Sequence, residues 1–193
     1  MEWIKPKRIM FVGPSGIGKT TLAKAVEEIC GIPFISGSMS DLLPATKDIT
    51  HSELLSLGSK SLQQSDYQLL TLRNRLFRDK ETFVTDRSYA DLAAYFWYKQ
   101  DRHLPECELE DFFCKCGTLM RSQCDLAIYL PLSMSTYKDW NMEDNHKRIT
   151  NRYYQVHISG MMGELLADWE IPTLVIPQLD LNTRLSQIKG HLL

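Results

Sequence analysis

Short apolar runs alternate along the chain with longer segments whose apolar residues recur at helical spacing. The run at residues 8–12 ends at a glycine-rich turn, and Leu22 and Val26 then begin a helical repeat that Gly31 is expected to end. Further apolar runs predict strands at 32–36, 82–86, 125–131 and 171–176, and the intervening repeats predict helices at about 61–79, 87–100, 143–169 and 179–192, with a cysteine-bearing helix before the fourth strand. Strands alternating with helices predict an α/β fold: a five-stranded parallel sheet with helices on both faces.

The length of 193 residues suits a single domain, 1–193, with a sizeable core. A net charge of −2 gives no global bias toward nucleic acid. No apolar run approaches the length that spans a membrane, and the first residues lack the apolar stretch of a secretory signal. We therefore expect a cytoplasmic protein without a membrane partner, or one in the host cytoplasm if its source is viral. The sequence leaves open whether the protein forms a homo-oligomer.

Five cysteines, an odd number, favour free thiols in a reducing compartment. Cys107, Cys114, Cys116 and Cys124 lie near His103, which raises the alternative of a zinc site. Their spacing matches no common zinc finger, and the segment fits an amphipathic helix better. No zinc is expected.

The strongest motif is the octapeptide Gly13-Pro14-Ser15-Gly16-Ile17-Gly18-Lys19-Thr20, which fits the phosphate-binding pattern G-x-x-x-x-G-K-[ST] at every fixed position. Its glycines allow successive N–H groups to turn around an anion, and the following helix, with Thr21 in its first turn, adds its dipole. Lys19 places a charge on the β- and γ-phosphates, and the Thr20 hydroxyl is a Mg²⁺ ligand. The motif predicts binding of ATP with Mg²⁺.

A second group of candidate site residues is predicted at the edge of the sheet that carries the glycine-rich loop. The carboxyl ends of the first three strands bring together the glycine-rich loop, the segment after residue 36 and the Asp86-Arg87 pair. Asp86 suits a water-mediated Mg²⁺ ligand, and Arg87 can clamp a phosphoryl group. The alternative is that Asp86 caps the next helix.

The segment from Asp86 to Tyr95 resembles the D-R-x-x-x-S-x-x-A-Y element of thymidylate kinases, with Asp91 in place of the serine. Residues 69–75 are similar to that family's L-L-F-x-x-x-R helix, and 125–130 and 148–154 are similar to its fourth strand and post-lid helix. The resemblance implies a P-loop kinase with an acceptor-binding segment at about 37–80 and a short lid at about 132–148. It assigns Arg75 to the thymine edge and Tyr95 to the acceptor.

The chain departs from that family where the acceptor phosphate is held. The family carries an arginine after its second strand, whereas residues 35–41 contain none. This favours a thymine-like acceptor that is not a free monophosphate, and a related group fits: bacteriophage kinases that phosphorylate 5-hydroxymethyluracil within DNA. Such a base has to leave the stack to reach the loop. A hydroxyl acceptor needs a base, and Asp41 is the candidate, with Asp86 second.

Other assignments stay open. Arg148 and Arg152 lie one turn apart and can act as lid arginines, or can pair with nearby carboxylates. Arg73 and Arg78 are expected on a solvated helix face, and Phe96 and Trp97 in the core. The alternative functions are a deoxynucleoside monophosphate kinase and a nucleotide-hydrolysing switch, although no Asp-x-x-Gly switch element is evident.

Overall fold

A computed structural model describes residues 6–43, 59–100, 103–137, 151–177 and 180–193. In these residues a parallel four-stranded sheet has the order β2-β1-β3-β4, with helices packed on both faces. The elements in chain order are β1 Arg8–Val12, α1 Lys19–Cys30, α2 Met39–Leu42, α3 Ser59–Phe77, β2 Phe83–Thr85, α4 Tyr89–Gln100, α5 Glu106–Gln123, β3 Leu126–Tyr129, α6 Met134–Tyr137, α7 Arg152–Asp168, β4 Thr173–Val175 and α8 Leu181–Leu192. The α/β class is confirmed.

The prediction of five strands is wrong for the described residues, because the expected strand at 32–36 is reduced to one bridge. Phe34 pairs with Val84 alone. The Val84 N–H donates to the Pro33 carbonyl and the Ile35 N–H donates to the Val84 carbonyl, each at 2.9 Å. Pro33 has no N–H of its own to extend the ladder toward the N-terminal side. The segment then turns into the short helix α2, whose N-terminus is capped by the Ser38 side chain.

β1 divides the core into two layers because alternate side chains of a strand point to opposite faces. Ile9 and Phe11 pack with α1 and α8. Met10 and Val12 pack with an aromatic layer from α3, α4 and α5, in which Phe96 and Phe112 stack at 3.8 Å between ring centroids. Central β1 pairs with β2 on one side and with β3 on the other, so its carboxyl end projects the glycine-rich loop from the middle of the sheet.

The cysteines within and just after α5 differ in their exposure. Cys107 and Cys114 are exposed on α5, whereas Cys116 and Cys124 are buried. Within the described ranges, no three His, Cys, Asp or Glu side chains are grouped to hold a metal ion. Among the helices in those ranges, none combines the length and the hydrophobicity needed to cross a membrane.

Gly117 provides a test of how α5 packs. A Cβ at this position would lie 2.9 Å from the Trp169 Nε1 atom and 3.0 Å from two indole carbons. Trp169 is 5% exposed, so its ring has little room to move. We expect Gly117→Ala to lower the free energy of unfolding by about 1–3 kcal/mol, the usual cost of overpacking, in a denaturant titration.

Gly160→Ala on α7 is the matched control, because a Cβ there meets nothing within 4 Å. It should raise stability by about 0.5–1 kcal/mol through helix propensity. Equal effects of the two substitutions would contradict the packing of Trp169 against α5.

Candidate active site

The glycine-rich loop leaves β1 in a conformation that requires glycine. Gly13, Gly16 and Gly18 have φ angles of 151°, 87° and 95°. A Cβ at Gly13 would lie 2.7 Å from the Leu130 carbonyl oxygen, so no other residue fits between the loop and the end of β3. Gly18 then caps α1, whose first intrahelical bond runs from the Leu22 N–H to the Gly18 carbonyl at 3.1 Å.

Helix α4 holds the loop backbone at two points. The Asp91 carboxylate accepts a hydrogen bond from the Gly13 N–H at 3.3 Å. One turn further along, the Tyr95 hydroxyl accepts one from the Ser15 N–H at 3.0 Å. Asp91 lies in the first turn of α4, where its backbone N–H donates to the Ser88 hydroxyl at 3.0 Å.

Lys19 is 5% exposed and folds over the loop that precedes it. Its Nζ donates to the Gly13 carbonyl at 2.5 Å and to the Pro14 carbonyl at 2.9 Å. The ammonium group is thus held at the mouth of the turn, together with the N–H groups of the first turn of α1, which have no intrahelical acceptor. This is an anion site of the kind that binds the phosphates of a nucleotide.

Thr20 and Asp86 meet beside the loop. The Thr20 hydroxyl donates to Asp86 Oδ2 at 2.5 Å, which joins the first turn of α1 to the end of β2. Asp86 is 4% exposed, and its Oδ1 atom is buried without a hydrogen-bond partner among the described residues. A buried carboxylate oxygen with spare capacity beside a hydroxyl is the donor set that Mg²⁺ prefers, so the pair fits that ion. Bound there, Mg²⁺ would neutralise charge on the β- and γ-phosphate oxygens of the donor.

Two arginines meet next to Asp86. The Arg87 Nε atom is buried and has no hydrogen-bond partner within the described part of the chain. Arg73, 4% exposed, donates to the Gly37 carbonyl at 3.1 Å and to the Ser88 carbonyl at 2.8 Å. Burial, and then the nearby Arg87 charge, lowers the pKa of Arg73 to about 10, so it remains a cation at neutral pH. Arg73 therefore ties the segment at Gly37 to the segment at Ser88, next to Arg87 in the chain.

The expectation that Arg73 lies on a solvated face of α3 is wrong. Arg73 lies on the buried face with Leu69 and Phe77, at intervals of four residues. Arg75 is exposed, and two residues along a helix correspond to a rotation of about 200°, so it points away from that face. The structure does not bring Arg75 to the loop, and its contact with a thymine edge stays a prediction. Arg78 is exposed as expected and pairs with Asp79.

The remaining predicted residues lie further out. Asp41 is exposed in α2, and its carboxylate accepts hydrogen bonds from the Ser36 and Ser38 hydroxyls at 2.5 Å and 2.7 Å. Arg152 is exposed at the start of α7, with its guanidinium 4.7 Å from the Tyr153 ring centroid. Arg148 and most of the predicted lid, 138–148, lie outside the described residues. Phe96 is fully buried as expected, whereas Trp97 is half-buried.

Sequence reasoning missed the contacts of three side chains: Arg73 and Asp91, each described above, and Arg184 on α8. The Arg184 Nη1 atom donates to the Ile17 carbonyl at 2.7 Å. A signal existed for the two arginines, since each occupies a position on the apolar stripe of its helix. Arg184 precedes Ile188 and Leu192 at intervals of four residues. A charge within such a stripe indicates a buried polar contact.

Comparisons with known proteins identify a family for this chain. A family model described as an AAA domain, AAA_28, matches residues 8–184. The ATP-dependent zinc metalloprotease FtsH of Acidimicrobium ferrooxidans is 40% identical over 60 residues, and that of Caldicellulosiruptor bescii is 58% identical over 38. These matches cover 31% and 20% of this chain but only 9% and 6% of the proteases, so they concern a short shared segment.

Solved structures match over nearly the whole chain. The deoxyadenosine kinase of M. mycoides, solved with bound dATP, has a TM-score of 0.67 at 15% identity and covers 95% of this chain and 98% of its own. The thymidylate kinase of Candida albicans has a TM-score of 0.71 at 15% identity, with coverages of 97% and 91%. At this identity the likeness shows the fold alone, a P-loop α/β fold that this chain shares with these two kinases.

The metal assignment can be tested at Asp86. We expect Asp86→Asn to lower the apparent affinity for Mg²⁺, measured through ATP binding, by about 10–100-fold. This is the usual effect of losing a carboxylate behind a metal ligand. Calorimetric titration of ATP at several Mg²⁺ concentrations would measure it. Thr20→Ser, which keeps the hydroxyl, is the control. An unchanged Mg²⁺ dependence in Asp86→Asn would remove the pair as a metal site.

Proposed function

Because this chain belongs to the AAA domain family AAA_28, we propose that its P-loop binds ATP with Mg²⁺. We further propose that the protein is a phosphotransferase. It passes the γ-phosphoryl group of ATP to the hydroxyl of a thymidine-like acceptor. The observation that carries the proposal is the buried, unpartnered Nε of Arg87 beside the Thr20–Asp86 pair, within the described residues. A cation there can stabilise the charge that develops on the γ-phosphoryl group, as arginines do in kinases and in nucleotide hydrolases. The fold likeness to nucleoside and nucleotide kinases is what favours transfer to an acceptor over hydrolysis.

The donor side is proposed to act through the loop, the Thr20–Asp86 pair and Arg87. The loop amides and Lys19 hold the phosphate tail, and Thr20 and Asp86 hold the metal. Arg87 can form a charge-assisted hydrogen bond to the phosphoryl group as charge develops during transfer. A lid arginine, Arg148 or Arg152, is proposed to add to that stabilisation. The chain thereby positions the donor and balances its charge, which is most of what phosphoryl transfer requires.

The acceptor is proposed to be a hydroxyl group because residues 35–41 lack the arginine that holds the acceptor phosphate in thymidylate kinases. Residues 35–41 carry serine hydroxyls and one carboxylate, Asp41, which accepts hydrogen bonds from Ser36 and Ser38. A negative group here repels a monophosphate and suits the removal of a proton. The two serine contacts orient the carboxylate.

Two sources of such a hydroxyl fit this chemistry. One is 5-hydroxymethyluracil in DNA, which a phage enzyme of thymidine hypermodification would phosphorylate, and this is our first choice. The other is a free deoxynucleoside, the kind of substrate named for the M. mycoides enzyme. Tyr95 and Arg75 remain the proposed acceptor contacts, although the Tyr95 hydroxyl also bonds the loop.

Labelled ATP would decide between them. The protein is incubated with [γ-³²P]ATP and Mg²⁺ together with thymidine, deoxyadenosine, thymidylate, or duplex DNA that contains 5-hydroxymethyluracil. Label in the modified duplex supports the first choice, and label in a free nucleoside supports the second. Label only in thymidylate would replace both with a monophosphate kinase. Hydrolysis alone would indicate a nucleotide-hydrolysing switch.

The proposed base gives a sharper prediction. Asp41→Asn should lower kcat for the accepted hydroxyl substrate by about 10²–10³-fold, because general base catalysis contributes in that range, while KM for ATP stays unchanged. Steady-state kinetics would measure both constants. Asp168→Asn removes a carboxylate exposed at the end of α7 and serves as the control. Retention of full kcat in Asp41→Asn would leave Asp86 as the candidate base.

A further inference from the structure

Arg184 is a buried cation that the proposed transfer does not use. It is 4% exposed and lies on the inner face of α8, in the same stripe as Ile188 and Leu192, which are 2% and 5% exposed. Burying a charged side chain costs free energy unless it gains strong hydrogen bonds. The contact that Arg184 makes therefore deserves an explanation beyond packing.

That contact is with the phosphate-binding loop. The Arg184 Nη1 atom donates to the Ile17 carbonyl at 2.7 Å, across 167 positions of sequence. A Cβ on Gly18 would lie 3.5 Å from the same nitrogen, so the guanidinium sits directly behind the Ile17–Gly18 peptide. Burial lowers the pKa of Arg184, yet an arginine keeps its proton at neutral pH.

We propose that Arg184 is a positioning residue that strengthens phosphate binding by polarising the Ile17–Gly18 peptide. The Ile17 carbonyl and the Gly18 N–H belong to one peptide unit. A cationic donor on the carbonyl draws electron density toward oxygen and makes the N–H at the other end a better donor. Gly18 is the N-cap of α1, and its N–H is among the four that have no intrahelical acceptor.

This arrangement links the end of the chain to the donor site without any contact between Arg184 and the nucleotide. By reciprocity, a ligand that binds more tightly because of the Arg184 contact also strengthens that contact. The inference rests on nucleotide binding by the loop and is independent of the acceptor, so it is tested by ATP binding with no acceptor present.

Three variants separate charge from packing. We expect Arg184→Gln, which keeps a neutral donor, to bind ATP and ADP roughly tenfold more weakly in calorimetry, since charge-assisted hydrogen bonds are about twice as strong as neutral ones. Arg184→Lys should stay within about threefold of the parent because it keeps the cation. Lys189→Gln removes an exposed cation from the same helix and should change nothing.

A spectroscopic measurement distinguishes polarisation from a merely structural role. The Gly18 amide proton resonance should move upfield in Arg184→Gln and stay near its original position in Arg184→Lys. Equal ATP affinity of Arg184→Gln and Lys189→Gln would overturn the proposal, as would equal losses in the Gln and Lys variants. If Arg184→Gln does not fold, hydrogen exchange in the parent protein decides: ATP should increase protection of α8, and unchanged protection would overturn the proposal.

Discussion

Three side-chain contacts to alternate residues of one loop hold the site together. Asp91 and Tyr95 from α4 accept the N–H groups of Gly13 and Ser15, and Arg184 from α8 donates to the carbonyl of Ile17. A loop with three glycines at positive φ has many conformations available when it is unfolded, and ordering it is costly. Because the two helices are anchored in opposite layers of the core, the loop is fixed from both sides of the sheet.

The same organisation explains why buried polar atoms gather beside the loop. Asp86 Oδ1, Arg87 Nε and Asp91 Oδ2 are all buried without hydrogen-bond partners among the described residues. An unsatisfied buried polar group costs about 1–3 kcal/mol, and three of them near one loop mark the region where stability is given up for chemistry. Away from the loop, the buried carboxylate of Asp66 is paired with Lys99 at 2.5 Å.

The donor half of the site could be predicted from sequence because its chemistry is local. The octapeptide at 13–20 fixes the turn, the lysine and the helix N-terminus within one continuous segment, and the Asp86-Arg87 pair follows a short buried strand. Arg73 was assigned wrongly because a basic helix residue is usually solvated, and only the tertiary structure shows that Gly37 and Ser88 offer carbonyls on its apolar face. The expected second strand failed for a similar reason: local apolar content could not reveal how few ladder bonds the segment makes.

The single bridge between Phe34 and Val84 is the sheet pairing of the segment proposed to meet the acceptor, which Arg73 also holds through the Gly37 carbonyl. Two backbone hydrogen bonds join this segment to β2, and each contributes about 0.5–1.5 kcal/mol net. Its sheet pairing therefore costs less to break than that of β1, which is paired along both edges. Under the proposed function, the phosphate-binding loop would then lie in a firmly paired frame, whereas the segment proposed to meet the acceptor is paired to the sheet at one point, so that a change of acceptor during divergence would leave the loop intact.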